Sequence, residues 1–388
     1  MGLATKIRKQ VLVLSTGQHV GKTTTCLGLV AHLQDKFAGR SLNVAYCKPV
    51  GQQHVPVGGG LRVDKDSFLF KEYFNLVHDY KDMSPVIFPD GFTRDYIDGK
   101  VTLRELKVAI KTAHDNLVKD SEFIVFEGTG HTGVGSICDL NNAQVAEELE
   151  MDAICIALGG LGSSFDQLAL NREMLLKHNI KLKGVIVNKV DPTKMDMVQD
   201  YFSRALKRWD VPLIGCIPQL DDLCHPSISD FSKLLKCELV SGKEAKLRYF
   251  ANIRLALAPV DERNVFKPVQ SQLVITHVIE MLNGLQHSGR MDVIDAMLHN
   301  QEEFRERGEN LHPGLIMTGW DPPSPSLVAR LDQGNIPCIY VPPTTCDSYT
   351  LTARIASFTA KLNRYDLKRL NMASAHVRKH VNFGVFDV

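Results

Sequence analysis

VLVLSTGQHVGKTTTCLG, residues 11–28, is the stretch on which the reading of the whole chain turns. Val11 to Leu14 form a continuous apolar run that reads as a buried strand. The turn Ser15-Thr16-Gly17-Gln18-His19-Val20-Gly21 follows, and Lys22-Thr23-Thr24-Thr25 opens an amphipathic helix. A strand, a glycine-containing turn and a helix that starts with Lys-Thr make the arrangement of a phosphate-binding loop. Gly21 lets the backbone approach a phosphate at angles a side chain forbids. The free N–H groups of a helix start attract anions. Lys22 is then placed to neutralise β- and γ-phosphate charge, and the Thr23 hydroxyl to hold Mg²⁺. Residues Thr16 to Thr24 are therefore the nucleotide-binding candidates. The strict spacing has glycine where Thr16 stands, with Gly17 next. The alternative is a βα turn that binds nothing; the strand before and the helix after favour the phosphate loop.

Working outward, 388 residues suggest two domains. A charged fraction of 23% beside a hydrophobic fraction of 44% is that of an ordinary globular protein. A net charge of +1 gives no reason to expect nucleic-acid binding through bulk electrostatics. No apolar run approaches the roughly 20 residues that span a bilayer. The start, MGLATKIRKQ, lacks the apolar core of a secretory signal, and Lys6 stands where myristoylation wants Ser or Thr. Nine cysteines form no CxxC pair and no zinc spacing, so buried reduced thiols in the cytosol are expected.

Apolar runs alternate with helical patterns through the first 220 or so residues. Strands are expected at Val11–Leu14, Asn43–Cys47, Phe123–Phe126, Ala153–Leu158, Gly184–Val187 and Leu213–Ile217. Helices are expected near Lys22–Gln34, Asp64–Phe74, Thr102–Lys119, Asn142–Glu150, Ser164–His178 and Met195–Trp209. Strands that are apolar throughout are buried on both faces, which means an α/β fold with a mostly parallel sheet flanked by helices. After a change of pattern around Asp221–Lys236, where Ser227 reads as a cap, Ser241-Gly242-Lys243 reads as a boundary. A second α/β pattern follows: strands at Ile253–Ala258, Gln272–Thr276, Gly314–Thr318 and Cys338–Val341, and helices near Ser288–Phe304, Ser324–Leu331 and Thr350–Leu362. A last helix, Leu367–His380, is expected with a solvated basic face.

In such sheets ligands lie beyond the carboxyl ends of the strands. Lys48, in Lys48-Pro49-Val50-Gly51-Gln52, stands there and is either a stabiliser of charge on a transferred phosphoryl group or a solvated lysine. Asp64 and Asp66, two apart, do not share a helix face. At most one is expected to reach a metal, the other capping the helix. The third strand ends in Glu127-Gly128-Thr129-Gly130-His131, a Walker B arrangement in which the carboxylate serves Mg²⁺. His131 is either a proton carrier or a structural loop histidine. Gly159 to Ser164 is a second glycine-rich turn that cradles ligand or switches, unless Ser163 or Ser164 is an ordinary cap. Asn188 pairs with a purine base in this position. Asn188-Lys189-Val190-Asp191 also resembles the guanine reader of small GTPases, which leaves the base open.

With these motifs in this order, the first part of the chain resembles dethiobiotin synthetase. It looks closer to the relative fused at the amino end of bacterial phosphate acetyltransferases, in which a P-loop NTPase domain precedes a DRTGG domain. Leu273 to His277, Ser288 to Ile294 and Leu315 to Gly319 resemble that second, smaller α/β domain. The resemblance implies domains at 1–235 and 236–388, with no counterpart of the acetyl-transferring part. It implies Lys22, Thr23 and Lys48 at the phosphates of ATP. Mg²⁺ falls to Thr23, Glu127 and one of Asp64 and Asp66, and Asn188 lies near the base. In dethiobiotin synthetase ATP activates a carbamate as a carbamic–phosphoric anhydride that an internal amine attacks. Here Gln52 replaces the small hydroxyl residue that follows the Lys-Pro-Val segment, and Thr-Gly-His replaces a glycine-rich run, so the diamine pocket departs from the family. The expectation is an Mg²⁺-dependent ATPase or ATP-dependent ligase, with Lys22, Lys48 and Glu127 as its catalytic residues. The alternatives are a nucleotide-sensing regulatory module and a GTP switch. The expected partners are nucleotide and a small-molecule substrate or effector, not nucleic acid or membrane, and a homodimer by analogy alone.

Overall fold

Six parallel strands carry the first part of the chain in the computed structural model, which describes residues 9–39, 43–256, 268–277, 291–319, 321–345, 348–358 and 360–386. They are β1 (Lys9–Ser15), β2 (Asn43–Cys47), β3 (Ser121–Glu127), β4 (Ala153–Leu158), β5 (Leu182–Val190) and β6 (Leu213–Pro218). Their order across the sheet is β6-β5-β4-β1-β3-β2. The apolar runs explain this centre: Val11 to Leu14, Val125 and Ile154 to Ala157 are all essentially inaccessible to solvent, as buried parallel strands require. The chain runs from β1 out to β2 and back to β3, then crosses to β4 on the other side of β1. That reversal puts a crevice at the carboxyl end of β1.

Around the sheet lie α1 (Lys22–Lys36), α2 (Lys65–Phe74), α3 (Leu103–Asp120), α4 (Asn142–Glu148), α5 (Gly162–Lys177) and α6 (Met195–Lys207). Reciprocal capping boxes fix the starts of α3 (Thr102 with Glu105) and α4 (Asn141 with Gln144). The start of α5 differs from expectation. Leu161 is its cap residue, and Ser164, inside the helix, donates to the Leu158 carbonyl instead.

A second compact unit comprises residues 221–361, and residues 362–388 group with the first. This division differs from a boundary at 235. In the second unit, α7 (Ile228–Leu235) is capped by Ser227 with Asp230 in the reciprocal box. The sheet order is β7-β11-β10-β9-β8, from β7 (Leu239–Ser241), β8 (Asn252–Ala256), β9 (Gln272–His277), β10 (Gly314–Thr318) and β11 (Cys338–Val341). Only β7 is antiparallel to its neighbour. Ser241-Gly242 is no boundary: Ser241 is buried in β7 and donates to the Ile336 carbonyl at 2.9 Å. One face of this sheet packs Phe231, Phe250, Ile275 and Leu351, and the other packs Val274, Ile294, Leu315 and Leu331. Ile294 comes from α8 (Met291–Glu306), Leu331 from α9 (Pro325–Gln333) and Leu351 from α10 (Ser348–Ala356). Residues 257–258 and 288–290 of the expected strand and helix, the amino-terminal segment and Cys346 lie outside the described residues.

The last helix, α11 (Leu367–His380), leaves Lys368, Arg378 and Lys379 exposed, as a solvated basic face requires, while its other face packs on the first unit. It buries Leu370, Ala373 and Val377 in the first unit, and Arg369 of its basic residues is itself buried beside Asp366. Beyond it, Asn382 N–H bonds the Ile214 carbonyl at 2.7 Å, and Val381 bridges Gly215 on the outer strand β6. A paired edge is a blunted one. Gly28 is what admits α11 against α1: a Cβ there would lie 2.5 Å from Val377 Cγ1 and 2.7 Å from its Cβ. Gly28→Ala is therefore expected to destabilise the fold by about 1–3 kcal/mol, although alanine gains roughly 1 kcal/mol in helix propensity. In a Val377→Gly background, which removes both the Cγ1 and the Cβ contact, the same change should cost less, as read from urea denaturation.

Candidate functional site

Ser15 ends β1 and hands the chain to a loop that wraps back on itself. Left-handed backbone occurs at His19 (φ 58°) and Gly21 (φ 117°), not at Thr16. That is the physical reason a threonine is accepted where the strict spacing has glycine. Thr16 instead anchors the loop, its N–H bonding the Ile156 carbonyl of β4 at 2.9 Å, and its buried hydroxyl has no partner. Gly21 is doubly constrained: besides its φ, an added Cβ would lie 2.1 Å from Asn188 Nδ2. It occupies the cap position of α1, which no side chain caps, so the first N–H groups face the crevice mouth without a protein acceptor of that kind.

Lys22 is buried, and its ammonium is turned into the loop. It donates to Ser15 Oγ and the Gly130 carbonyl, each at 2.7 Å, and to the Gly17 carbonyl at 3.3 Å. Burial pushes its pKa down, with Glu127 opposing. Thr23 donates to Glu127 Oε1 at 2.9 Å, and the Tyr46 hydroxyl donates to Glu127 Oε2 at the same distance. Tyr46 is itself held by stacking on Phe70, centroids 3.8 Å apart. Glu127 is fully buried, and its pKa is raised by that burial, with Lys48 pulling it back.

Lys48 stands at the centre of the acidic groups. It donates to Asp66 Oδ2 and lies 3.4 Å from Asp64 Oδ1 and 3.7 Å from Glu127 Oε1. Both aspartates reach the same ammonium. Asp64 does cap α2, accepting from Asp66 N–H at 2.9 Å. As the cap it is extended rather than helical, so the rule for helix faces does not separate the pair. Lys48 is not a solvated lysine. Burial alone would lower its pKa, but Asp66, Glu127 and Asp64 together hold it well above the ordinary value.

The other sequence candidates fall around this cluster. Asn188 donates to the Val20 carbonyl at 2.7 Å and accepts from Lys189 N–H, so it buttresses the loop. Lys189 adds a bond to the His19 carbonyl at 2.8 Å. Asp191 is exposed and spends Oδ1 on Thr193, N–H and hydroxyl both. His131 is exposed and accepts from Gly133 N–H through Nδ1. Gln18 is exposed on the loop, and Thr24 is half-buried in the first turn of α1. Three residues that pattern reading passed over hold the site's shape. Asn142 pins the loop after β3, accepting from Thr129 N–H at 3.0 Å and donating to the Thr129 and His131 carbonyls at 2.8 Å. Asn171 of α5 accepts from Thr132 N–H at 2.9 Å, and Tyr46 holds Glu127.

One hydroxyl and three carboxylates are hard oxygen donors of the kind magnesium takes. Among the described residues, no three His, Cys, Asp or Glu side chains converge to hold an ion by themselves; these carboxylates close on Lys48. No helix among the described residues is long and apolar enough to cross a membrane.

Residues 9–227 match the AAA domain family AAA_26. The ATP-dependent dethiobiotin synthetase of Brachyspira hyodysenteriae is 29% identical over 222 residues, 54% of this chain and 91% of that protein. The phosphate acetyltransferase of Pseudomonas aeruginosa is 25% identical over 388 residues, covering 96% of this chain but 50% of that protein. Among solved structures, the MinD cell division protein of Aquifex aeolicus is 13% identical and covers 55% of this chain and 84% of its own, with a TM-score of 0.35.

Proposed function

The chain belongs to the AAA domain family AAA_26, and from that premise we propose that it uses MgATP to activate a carboxylate or carbamate as a mixed anhydride with phosphate. The observation that carries this reading is the pairing of Lys48 with Glu127, 3.7 Å apart and both buried, beside Lys22 and the loop glycines. A sensor needs only to grip a nucleotide. A phosphoryl-transfer enzyme needs charge already in place where the transition state develops it, and Lys48 would supply a positive charge there. Thr23, Glu127, Asp64 and Asp66 are the residues that would hold Mg²⁺, whose chemistry is to offset phosphate charge. Lys22 would leave the loop carbonyls for the β- and γ-phosphates. The acid's oxygen would attack the γ-phosphorus while the bond to the ADP oxygen breaks, ADP leaving with the electron pair. The dethiobiotin synthetase relatives support the class of chemistry, while Gln52 and Thr129-Gly130-His131 argue for a different acceptor.

A regulatory module is the second reading. It is favoured by the likeness to phosphate acetyltransferase, which runs through both units of this chain and covers half of that protein. The test is ADP formation with MgATP alone, with a panel of carboxylic acids, and with amines plus bicarbonate, alongside competition of ATP and GTP for a labelled analogue. Stimulation by one acid or amine class supports the ligase. Tight binding with no turnover under any condition supports the module, and preference for GTP moves the chain to the switch reading.

A further inference from the structure

An ammonium and a magnesium ion seek the same neighbours, several oxygens of negative or partial negative charge. Lys48 has them: Asp66 Oδ2, Asp64 Oδ1 at 3.4 Å and Glu127 Oε1 at 3.7 Å. The Glu127 Oε1 atom also accepts from Thr23 Oγ1 at 2.9 Å. These are the oxygens assigned above to the metal. Two cations a few ångströms apart in a buried space repel each other strongly. They exclude each other. We propose that Lys48 is a built-in cation that keeps the metal place closed, and that a bound nucleotide opens it by drawing the ammonium onto its terminal phosphate.

Three further observations shape this exchange. The Lys48 side chain is 10% exposed and those of Asp64 and Glu127 are 1%, and buried carboxylates without a counter-ion are costly. A cation beside them relieves that cost. Lys22 adds only Coulombic attraction to Glu127, because its ammonium bonds Ser15, Gly17 and Gly130. The Lys48 backbone is tied down, its N–H bonding the Met83 carbonyl at 2.9 Å. Exchange is thus a rotation of a long, flexible side chain rather than a movement of the strand end. By linkage, nucleotide with a γ-phosphate raises metal affinity and metal raises nucleotide affinity by the same factor.

The inference rests on the proposed metal-binding role of Thr23, Asp64, Asp66 and Glu127, and the experiment separates the two. Free Mn²⁺ is followed by electron paramagnetic resonance in the absence of nucleotide, on the full chain and on Lys48→Met and Lys48→Arg variants. Lys48→Met is expected to bind Mn²⁺ about tenfold or more tightly than the parent, and Lys48→Arg to stay as weak as the parent. A Lys48→Met affinity no higher than the parent's overturns the exchange. Should that variant not fold, the parent decides: excess Mn²⁺ without nucleotide leaves its melting temperature unchanged, and a clear rise means the place was open. A parent that binds neither Mn²⁺ with an ATP analogue nor the analogue alone sinks the proposed function instead.

Discussion

Calorimetry on the Lys22→Ala variant should show MgATP affinity reduced by about 100-fold or more, beyond the range of a direct titration. The estimate follows from what the ammonium does. A hydrogen bond to a charged group is worth about 1.5–3 kcal/mol net, and Lys22 makes several at once. In the structure they go to Ser15 Oγ and to the Gly17 and Gly130 carbonyls, so the side chain is already curled over the space that a phosphate would enter. Two of these acceptors belong to the loop itself and one to the loop after β3, which means Lys22 also ties the two loops together. The variant therefore loses both charge and bracing. It should not lose the fold, because removing a buried ammonium also removes its desolvation cost. A melting curve close to the parent's alongside the lost binding is the expected pair of results. Undiminished affinity would remove the phosphate-loop assignment altogether.

This prediction could be written from sequence because the phosphate loop is local: nine consecutive residues, with strand and helix on either side, carry their own geometry. The strand positions were legible for a similar reason. Ala153–Leu158 and Gly314–Thr318 are apolar throughout and bounded by turns, and burial on both faces of a parallel sheet follows directly. Partners distant in sequence were not legible. Asn142, which holds the loop after β3, reads from sequence as the first residue of a helix, and nothing local says its amide turns back to Thr129 and His131. Tyr46 is one more apolar position of β2 until Glu127 stands beside it. Asp64 and Asp66 were separated by a rule for helix faces that fails because one of them caps the helix. The periodicity of Leu367–His380 showed a helix but not its destination. The fit of Val377 against Gly28 and the Asn382–Ile214 bond show that residues 362–386 belong with the first unit.

Glu127→Gln should separate binding from chemistry. The substitution keeps the size and planarity of the side chain, and the hydroxyls of Thr23 and Tyr46 each donate to it from 2.9 Å. A hydroxyl that donates to a carboxylate can rotate to accept from an amide, so the local bonds re-form and the buried position tolerates the change. Stability should hold or rise slightly, since burial already raises the pKa of Glu127 and a neutral side chain avoids that penalty. What disappears is the negative charge facing Lys48 and Thr23. Nucleotide affinity is then expected to stay within a few-fold of the parent, because the loop, Lys22 and the start of α1 are untouched. Phosphoryl transfer, measured as ADP formation with the best acceptor found, should fall roughly 10²- to 10³-fold, the usual cost of losing one preorganised electrostatic contact. Tyr46→Phe provides the comparison: it leaves the charge and removes only one bond, so a much smaller loss is expected. Equal losses in the two variants would mean that the orientation of Glu127, not its charge, limits the rate. Full activity in Glu127→Gln would take the residue out of the metal-side set and leave Asp64 and Asp66 to carry that role.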